Sequence, residues 1–197
     1  MTALSLLWLA ALVVGLQPAP NLALDVRVFR GATEVTADTT VTVYRSGSRT
    51  GGRPAPEAAG GERRIALPAG QYDLQLVQQQ DGKAIGISWT SLRLLVDYPG
   101  EFRRHLEVLN FEKGWGALQI RKVGAQETGR VAWSSRLLRT DGSEAARGLP
   151  GEGYQVLVAP AGRYMVEVTK ADGTKTRLAN VDVRDNLTYL RTFGSAP

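Results

Sequence analysis

The side chains that could perform acid–base or nucleophilic chemistry are few in this sequence and widely spaced. His105 is the only histidine, so any Ser-His-Asp arrangement would have to use it. It lies with Glu107 on the polar side of an alternating segment, which predicts a solvent-exposed strand histidine without a catalytic role. The carboxylates show neither an acidic pair nor a calcium-loop spacing, and they are scattered along the chain, as are Glu62, Asp97, Glu101 and Asp182. We therefore predict that the protein is not an enzyme and has no catalytic residues.

The sequence predicts neither a metal site nor a cofactor site. It has no cysteine, which excludes disulfides, thiolate ligands, a cysteine nucleophile and lipid attachment through an N-terminal cysteine. One histidine and no cysteine give no zinc-type ligand set. The Gly-Glu-Gly run at 151–153 lacks the third glycine and the following helix of a dinucleotide site. Asn186-Leu187-Thr188 matches a glycosylation sequon, as a pattern this short readily does by chance.

Aromatic side chains are the other candidates for a ligand contact, because their rings can stack on sugars or peptides. The rings that could do so are Trp89, Trp115, Trp133, Tyr98, Tyr154 and Tyr189. Trp89 and Trp133 lie inside predicted strands and are expected to fill two cores. Tyr98 stands beside Pro99-Gly100 in a predicted turn and is expected to be exposed. Tyr98 and Trp115 are therefore the candidate ligand contacts.

Length and charge limit the kind of protein that this can be. The 197 residues suffice for one large domain or for two domains of about 90–100 residues. The net charge is +5, with 19 arginines against 5 lysines spread over the whole chain. A nucleic-acid-binding protein usually concentrates its charge on one face or arm. The expected partner is therefore an envelope protein or a surface glycan rather than nucleic acid.

The first 21 residues differ in composition from the rest of the chain. Residues 3–16 carry no charge, and about 14 apolar or small residues suit a signal peptide but not a membrane-spanning helix, which needs about 20. No Lys or Arg precedes this run, and a buried N-terminal helix is the alternative. Because Pro18 and Pro20 end the run, we predict a signal peptide over 1–21 and export to the periplasm, the cell surface or the medium. Membrane contact is expected only through this segment, if it is not cleaved.

Two nearly identical pentapeptides, PAGQY at 68–72 and PAGRY at 160–164, mark equivalent places in the two halves of the chain. In each, proline fixes φ for the second position of a turn, and glycine is the favoured fourth residue. The tyrosine opens the next strand, where its ring can pack on the core and its hydroxyl can bond nearby backbone. An Asp-Gly pair follows each motif, at 81–82 and 172–173, and is expected to turn the next hairpin. We predict that both tyrosines are buried structural partners.

Alternating runs with a period of two residues surround these motifs and predict strands in both halves, with no helix. In the first run Leu24, Val26 and Val28 share one face, and Asp25 and Arg27 take the other, which is typical of a half-buried strand. The runs are 22–29, 40–45, 64–67, 72–79, 85–96 and 102–111 in the first half, and 117–123, 131–138, 154–158, 164–170, 176–183 and 187–193 in the second.

Segments rich in Gly, Pro, Ser and Ala, at 45–63 and 140–153, are predicted to be long loops. The two halves meet at 112–116 without a Pro-rich linker, so we expect contact between them, with Trp115 in that contact or capping one core. The sequence thus predicts an all-β protein with a signal segment and two tandem Ig-like or prealbumin-like β-sandwich domains. Their predicted bounds are 22–113 and 114–197.

The order of strands and turns resembles that of the carboxypeptidase regulatory-like and PEGA-type β-sandwich repeats, which occur in tandem on bacterial exported and surface proteins. The residues that carry this likeness are Leu67–Leu74 with Asp81-Gly82, and Pro160–Val166 with Asp172-Gly173. It extends over 22–193. The resemblance implies modules that are mostly non-catalytic and that act as spacers, envelope-associated modules or binding modules.

Three functions from different classes are consistent with these observations. The first is a non-catalytic exported protein that binds or spaces something at the bacterial cell envelope. The second is a carbohydrate-binding module with Tyr98 in its platform, which clustering of exposed aromatic rings on one face would favour. The third is a hydrolase whose site forms only on folding, which two carboxylates converging in one cleft would favour.

Overall fold

A computed structural model describes residues 22–54, 63–95, 104–124 and 129–194. Several sequence predictions lie outside these described residues, namely those for the signal segment 1–21, Tyr98, Glu62, Asp97, Glu101 and the loop residues 55–62.

The described residues form strands and turns and contain no helix, which confirms the all-β prediction. The strands before residue 111 are β1 (Leu22–Arg30), β2 (Thr33–Glu34), β3 (Thr39–Arg45), β4 (Arg53–Pro54), β5 (Arg63–Leu67), β6 (Gly70–Gln80), β7 (Lys83–Leu94) and β8 (Arg104–Asn110). The later strands are β9 (Trp115–Lys122), β10 (Ser134–Leu138), β11 (Glu144–Arg147), β12 (Leu149–Pro150), β13 (Gln155–Pro160), β14 (Gly162–Thr169), β15 (Lys175–Val183) and β16 (Thr188–Phe193). Within these ranges no helix is long and apolar enough to cross a membrane.

Strands β1–β8, called the first unit, pair into two four-stranded sheets. In sheet I, β2 and β5 run antiparallel to β1, and β8 runs parallel to it. Sheet II has the antiparallel order β4-β3-β6-β7. Inward-facing apolar side chains of both sheets form one core, which includes Leu24, Val26, Val28, Val41, Val43, Ile65, Leu74, Leu76 and Leu94. The first unit is thus a β-sandwich.

Strands β9–β16, called the second unit, repeat this topology. In sheet III, β9 pairs antiparallel with β13 and parallel with β16, as β1 does with β5 and β8, and β12 adds to β13. Sheet IV has the order β11-β10-β14-β15, which corresponds to β4-β3-β6-β7. Its core with sheet III includes Leu118, Ile120, Leu137, Leu157, Val166, Val168, Val181 and Val183. The order of strands and turns that repeats in the sequence therefore corresponds to a β-sandwich topology that repeats in the structure.

Each PAGxY motif carries the chain from one sheet of a sandwich to the other. Strand β5 of sheet I ends at Leu67 and the next strand, β6, belongs to sheet II, so the motif is a corner between sheets rather than a turn within one. Tyr72 is 8% exposed, and its hydroxyl donates to the Pro68 carbonyl at 2.7 Å. Tyr164 is 9% exposed, and its hydroxyl donates to the Pro160 carbonyl at 2.9 Å. The predicted pair of buried tyrosines, hereafter the corner tyrosines, is confirmed.

The two Asp-Gly pairs both lie in hairpins, as predicted, but they turn the chain differently. Asp81 and Gly82 have φ angles of 51° and 74°, and this two-residue turn joins β6 to β7. In the second hairpin Gly173 has a φ of 82°, and the Thr174 amide donates to Asp172 Oδ1 at 2.8 Å. The second turn is longer, because more residues separate β14 from β15 than separate β6 from β7.

The segment 140–153 is not the plain loop that its composition predicts. Residues Glu144–Arg147 form β11 at the edge of sheet IV, and Leu149–Pro150 form β12 at the edge of sheet III. The charged ends of β11, Glu144 and Arg147, suit an edge strand, because such a strand pairs its backbone on one side while these side chains meet water. In the corresponding segment 45–63, Arg53–Pro54 form the edge strand β4.

The two units pack back to back, with sheet I against sheet III. Their facing side chains form a third apolar cluster of Phe29, Leu106 and Val108 from sheet I and Ala117, Tyr154, Val156 and Val158 from sheet III. The layers therefore follow the order II, I, III, IV. The prediction that the first strand is half-buried is wrong, because β1 is covered on both faces and even Asp25 and Arg27 are only 1% and 4% exposed.

Charged side chains at this contact between the units are paired. Arg27 donates to both carboxylate oxygens of Glu34, at 2.9 and 2.6 Å, and to a backbone carbonyl of the second unit at 3.2 Å. Arg64 Nε donates to Asp25 Oδ1 at 2.7 Å, and its Nη2 donates to Glu152 Oε2 of the second unit at 3.1 Å. Burial of Arg27 and Asp25 in this layer is tolerated because each is paired with an opposite charge.

Replacing a corner tyrosine with phenylalanine is expected to destabilise the protein. Tyr72→Phe and Tyr164→Phe keep the ring but remove the hydroxyl that satisfies a carbonyl, which should lower the free energy of unfolding by about 1 kcal/mol. Urea denaturation measures this change. The control is Tyr44→Phe, which removes a hydroxyl on the outward face of sheet II and should cost clearly less. An equal loss of unfolding free energy in Tyr44→Phe would contradict the prediction that the corner hydroxyls contribute more to stability than an outward-facing hydroxyl does.

Candidate functional site

The order of the layers leaves two sheet faces directed away from the stack, one at each end. They are the outward faces of sheet II and sheet IV. Gln75 and Glu167 occupy equivalent positions on them, each three residues after its corner tyrosine. On sheet II, Gln75 lies opposite Trp89, whereas Glu167 on sheet IV lies between Arg136 and Arg177. The same place in the fold therefore carries an amide and an aromatic ring in one unit and charges in the other.

Trp89 lies on the outward face of sheet II, so the prediction that it fills the first core is wrong. In β7 it shares one side with Ile85 and Ile87, while Leu92 and Leu94 on the other side pack on the core. From Gly86 to Leu94 β7 pairs with β6 in one register, so side chains alternate there, and the burial of the leucines places the tryptophan outward. That alternation, visible in the sequence from 85 to 94, was the signal that could have identified the outward position.

Aromatic, amide and basic groups surround Trp89. The centroid of the Tyr44 ring lies 5.2 Å from that of Trp89, and the Tyr44 hydroxyl donates to Gln75 Oε1 at 3.2 Å. The Arg49 guanidinium lies 4.8 Å from the Trp89 ring centroid in a cation–π contact. Gly52 approaches the Tyr44 ring so closely that a Cβ there would overlap it. The chain after β3 thus packs tightly against this face.

Two large aliphatic side chains extend this group along β7. Ile85 is 48% exposed and Ile87 is 63% exposed, and Val77 of β6 lies opposite Ile87. Single exposed apolar residues are common on protein surfaces, whereas a contiguous row with a tryptophan is typical of a contact surface. Together Tyr44, Gln75, Ile85, Ile87 and Trp89 are called the Trp89 face.

A hydrogen-bonded carboxylate borders the Trp89 face. Ser91 Oγ donates to Asp73 Oδ1 at 2.5 Å, and the Gly47 amide donates to Asp73 Oδ2 at 3.0 Å. These bonds, that from Ser91 first, hold the pKa of Asp73 below its ordinary value because they stabilise the ionised form. The carboxylate joins β6, β7 and the turn after β3, and so fixes the edge of the face.

The outward face of sheet IV is built around one buried carboxylate. The side chain of Glu167 is fully buried, and it accepts hydrogen bonds from Arg136 Nη2 at 2.7 Å and from Arg177 Nε at 3.0 Å. Lys175 Nζ lies 3.3 Å from Glu167 Oε1. Hydrogen bonding, chiefly from Arg136, outweighs the effect of burial and lowers the pKa of Glu167 from 4.5 to about 2.

Cationic side chains outnumber carboxylates on this face. The second carboxylate, Glu144, lies 3.2 Å from Arg147 Nε. A surface cavity of about 310 Å³ is lined by Ser134, Ser135, Arg136, Glu144, Arg147, Glu167, Thr169 and Lys175. These residues and Arg177 are called the Glu167 face. The sequence showed these arginines and glutamates only as scattered charges, because strand pairing is what brings them together.

Two of the residues considered from the sequence alone lie within the sandwiches. His105 is mostly buried, and its Nε2 lies 2.6 Å from Glu107 Oε1, so the prediction of a solvent-exposed histidine is wrong. On β8 it shares one side with Leu109, and its register partner is Leu24, both of which belong to the first core, so His105 faces the interior of the first sandwich. Trp133 packs on the second core, with its ring centroid 4.8 Å from that of Phe193, which confirms the predicted core contact.

The remaining aromatic candidates are also away from the two end faces. Tyr154 is fully buried between the units with the Arg121 guanidinium 5.3 Å from its ring centroid. Trp115 is partly buried against the same cluster, and Tyr189 packs on the second core. Asp182 pairs with an arginine at 3.4 Å. In the part of the chain that the structure describes, no three His, Asp or Glu side chains converge as a metal site.

Comparisons with known proteins found similarities among solved structures. No family model and no curated protein matches the chain. The Bacillus anthracis TIE protein is 18% identical over 90% of this chain and 35% of its own, with a TM-score of 0.34. The BcpA major pilin subunit of Bacillus cereus is 11% identical over 83% of this chain and 68% of its own, also at 0.34. A DUF3823 family protein from Parabacteroides merdae is 13% identical over 85% of this chain and 100% of its own, again at 0.34. The β-sandwich assignment rests on the strand pairing and the two cores of this chain.

Acid is expected to weaken the fold through Glu167. Its folded pKa lies below the ordinary value, so its contribution to stability is complete above pH 4.5 and is lost as pH falls toward about 2. Urea denaturation at pH 5 and pH 2.5 should show that Glu167→Gln loses less stability between these pH values than the unchanged protein does. Asp182→Asn is the control, because Asp182 lies on the same sheet but is well exposed. This variant should lose as much stability between the two pH values as the unchanged protein does. An unchanged pH dependence in Glu167→Gln would contradict this role.

Proposed function

We propose that this chain is a non-catalytic, exported β-sandwich protein that serves as a structural or binding module at the bacterial cell envelope. In this proposal 1–21 is a signal peptide, and 22–113 and 114–197 are two domains akin to the carboxypeptidase regulatory-like and PEGA-type repeats. The Trp89 face is the observation that carries the binding role. A solvated sheet face ordinarily carries polar side chains, whereas this one presents a tryptophan, a tyrosine and two exposed isoleucines.

The contact between the units supports a structural role beside the binding role. An apolar cluster and the Arg64–Glu152 ion pair join the sandwiches. The connection from β8 to β9 is short, since β8 ends at Asn110 and β9 begins at Trp115. A short connection and a partly apolar contact restrict relative motion. The two end faces are thereby held apart at a fixed separation, as a spacer requires.

A carbohydrate-binding module is the second candidate, and the surroundings of Trp89 favour it. The Trp89 and Tyr44 rings offer apolar surface on which the C–H groups of a sugar could pack. Arg49 and Gln75 add hydrogen-bonding groups beside these rings, which the hydroxyls of a sugar would need.

A hydrolase would need two carboxylates that face one cleft and have pKa values pushed apart. Glu144 and Glu167 do line one cavity, but Arg147 binds the first and Arg136 binds the second. The lowered pKa of Glu167 keeps this carboxyl ionised, which is the opposite of what a general acid requires. This geometry favours ion pairing over hydrolysis.

A pull-down from envelope extract tests the binding role of the Trp89 face. The double variant Trp89→Ala, Ile87→Ser should capture its partner with affinity reduced by roughly tenfold or more, because aromatic anchors often contribute about 2 kcal/mol. The thermal midpoint should change little, since both side chains point outward. Titration of the captured partner against immobilised protein gives the affinities.

Leu187→Ser is the matched control, because Leu187 is an exposed apolar residue of the second unit. It should capture the same partner as the unchanged protein does. Equal capture by the Trp89 double variant would contradict the proposed binding role. Competition by soluble neutral polysaccharide would favour the carbohydrate-binding alternative over binding to an envelope protein.

N-terminal sequencing of the protein from its native cells tests export. We expect the mature protein to lack about its first 20 residues, because the uncharged run at 3–16 has the length of a signal-peptide core. Cell fractionation provides the second measurement. An intact Met1 on protein in the soluble cytoplasmic fraction would contradict export.

A further inference from the structure

We propose that the Glu167 face is a second binding site, and that its ligand is an anionic polysaccharide carrying carboxylate or sulfate groups. This site belongs to the second unit and lies on the opposite end of the stack from the Trp89 face. The inference does not rest on the proposed role of that face, since different residues carry it.

The first support is an excess of positive charge held in one place. Arg136, Lys175 and Arg177 all reach a single carboxylate, that of Glu167. A carboxylate offers about four lone-pair sites, whereas each guanidinium carries five N–H donors. Many donors on these side chains therefore remain available to an added anion, and each of the three is substantially exposed to solvent.

The second support is that the buried carboxylate orders the cations before any ligand arrives. Long basic side chains lose rotamer freedom when they bind, and this loss reduces affinity. Here Glu167 already fixes Arg136 and Arg177 by hydrogen bonds of 2.7 and 3.0 Å. Glu167 is therefore a positioning residue, and an incoming anion would meet a preformed set of donors.

The third support is the linear arrangement of the cations across the sheet. Arg147 of β11 lies opposite Arg136 of β10, Arg136 lies opposite Glu167 of β14, and Glu167 lies opposite Arg177 of β15. With strands about 4.8 Å apart, this row extends over roughly 14 Å. A row of this length suits an extended polymer with repeated charges better than a single small anion.

Hydroxyl groups in the adjacent row suit a sugar polymer. Ser134 lies opposite Thr169, which lies opposite Lys175, and all three line the cavity. The described residues of the Glu167 face include no aromatic ring on which a nucleobase could stack. These features favour a polysaccharide over a nucleic acid.

The position of the site suggests what it accomplishes. Sheets II and IV are the first and last of four layers, and spacings of about 10 Å between layers place these two sheets roughly 30 Å apart. A protein that holds one ligand at each face would bridge an anionic polymer and a second envelope component.

Binding to defined polymers tests this inference directly. Affinity should be measured for dextran sulfate, polygalacturonate and uncharged dextran, using the full protein. We expect binding to one or both charged polymers and not to dextran, and salt should weaken it by screening. Preference between sulfate and carboxylate polymers identifies the anionic group.

Two double variants, each of which removes two positive charges, distinguish binding at this site from nonspecific attraction between the polymer and a positively charged protein. Arg147→Gln with Lys175→Gln removes two cations but leaves Arg136 and Arg177 on Glu167, and should weaken binding about tenfold or more. Arg163→Gln with Arg191→Gln removes two exposed cations outside the cavity and should change binding less than twofold. If the first double variant fails to fold, Arg147→Gln alone should still weaken binding severalfold.

Three results would overturn the inference. They are no binding of the unchanged protein to either charged polymer, an equal loss in both double variants, and tighter binding to double-stranded DNA than to the polymers at the same salt. Trp89→Ala should leave polymer binding intact. The proposal for the Glu167 face can therefore fail or succeed independently of the proposed binding role of the Trp89 face.

Discussion

The apolar contact between sheets I and III is the constraint on which the rest of the structure depends. It buries Phe29 of β1 and Tyr154, which directly precedes β13, and it covers the second face of β1 and β13. Charges in that layer must then be paired, because an isolated buried charge is costly, and Arg64 meets this demand by binding carboxylates of both units. The contact also decides which faces can meet a partner, since it leaves the outward faces of sheets II and IV at the ends of the stack.

The internal repeat separates positions that serve the fold from positions that do not. Tyr72 and Tyr164 close the same corner with the same hydrogen bond to a proline carbonyl, because the crossing between sheets has the same geometry in both units. The outward-facing positions of sheets II and IV take no part in this crossing, so its geometry does not restrict their residue types. There Gln75 corresponds to Glu167, and the chemistry differs completely between the units. Functional differences between the two halves are therefore expected on the end faces, since function depends on sites and not on the fold that carries them.

Much of the fold, but little of the candidate sites, could be predicted from the sequence. Period-two alternation and the paired turns identified the strands, their order and the corner tyrosines. The prediction for Trp89 is wrong, because a position inside a predicted strand does not decide which face of that strand carries the ring. Prediction from the sequence also failed for 140–153, where β11 and β12 are edge strands of only four and two residues, too short for an alternation to be visible.

By itself the sequence determined where the strands run and where the chain turns, because these features depend on the local alternation of side chains and on the backbone preferences of Pro, Gly and Asp. Only the tertiary structure decided which strands are covered on both faces and which charges meet. Asp25 became buried because a second unit packs over its sheet. Arg136, Glu167 and Arg177 became one cluster because strand pairing aligns residues that stand far apart in the chain. Register and sheet packing are long-range consequences of the whole core, and no short stretch of sequence contains them.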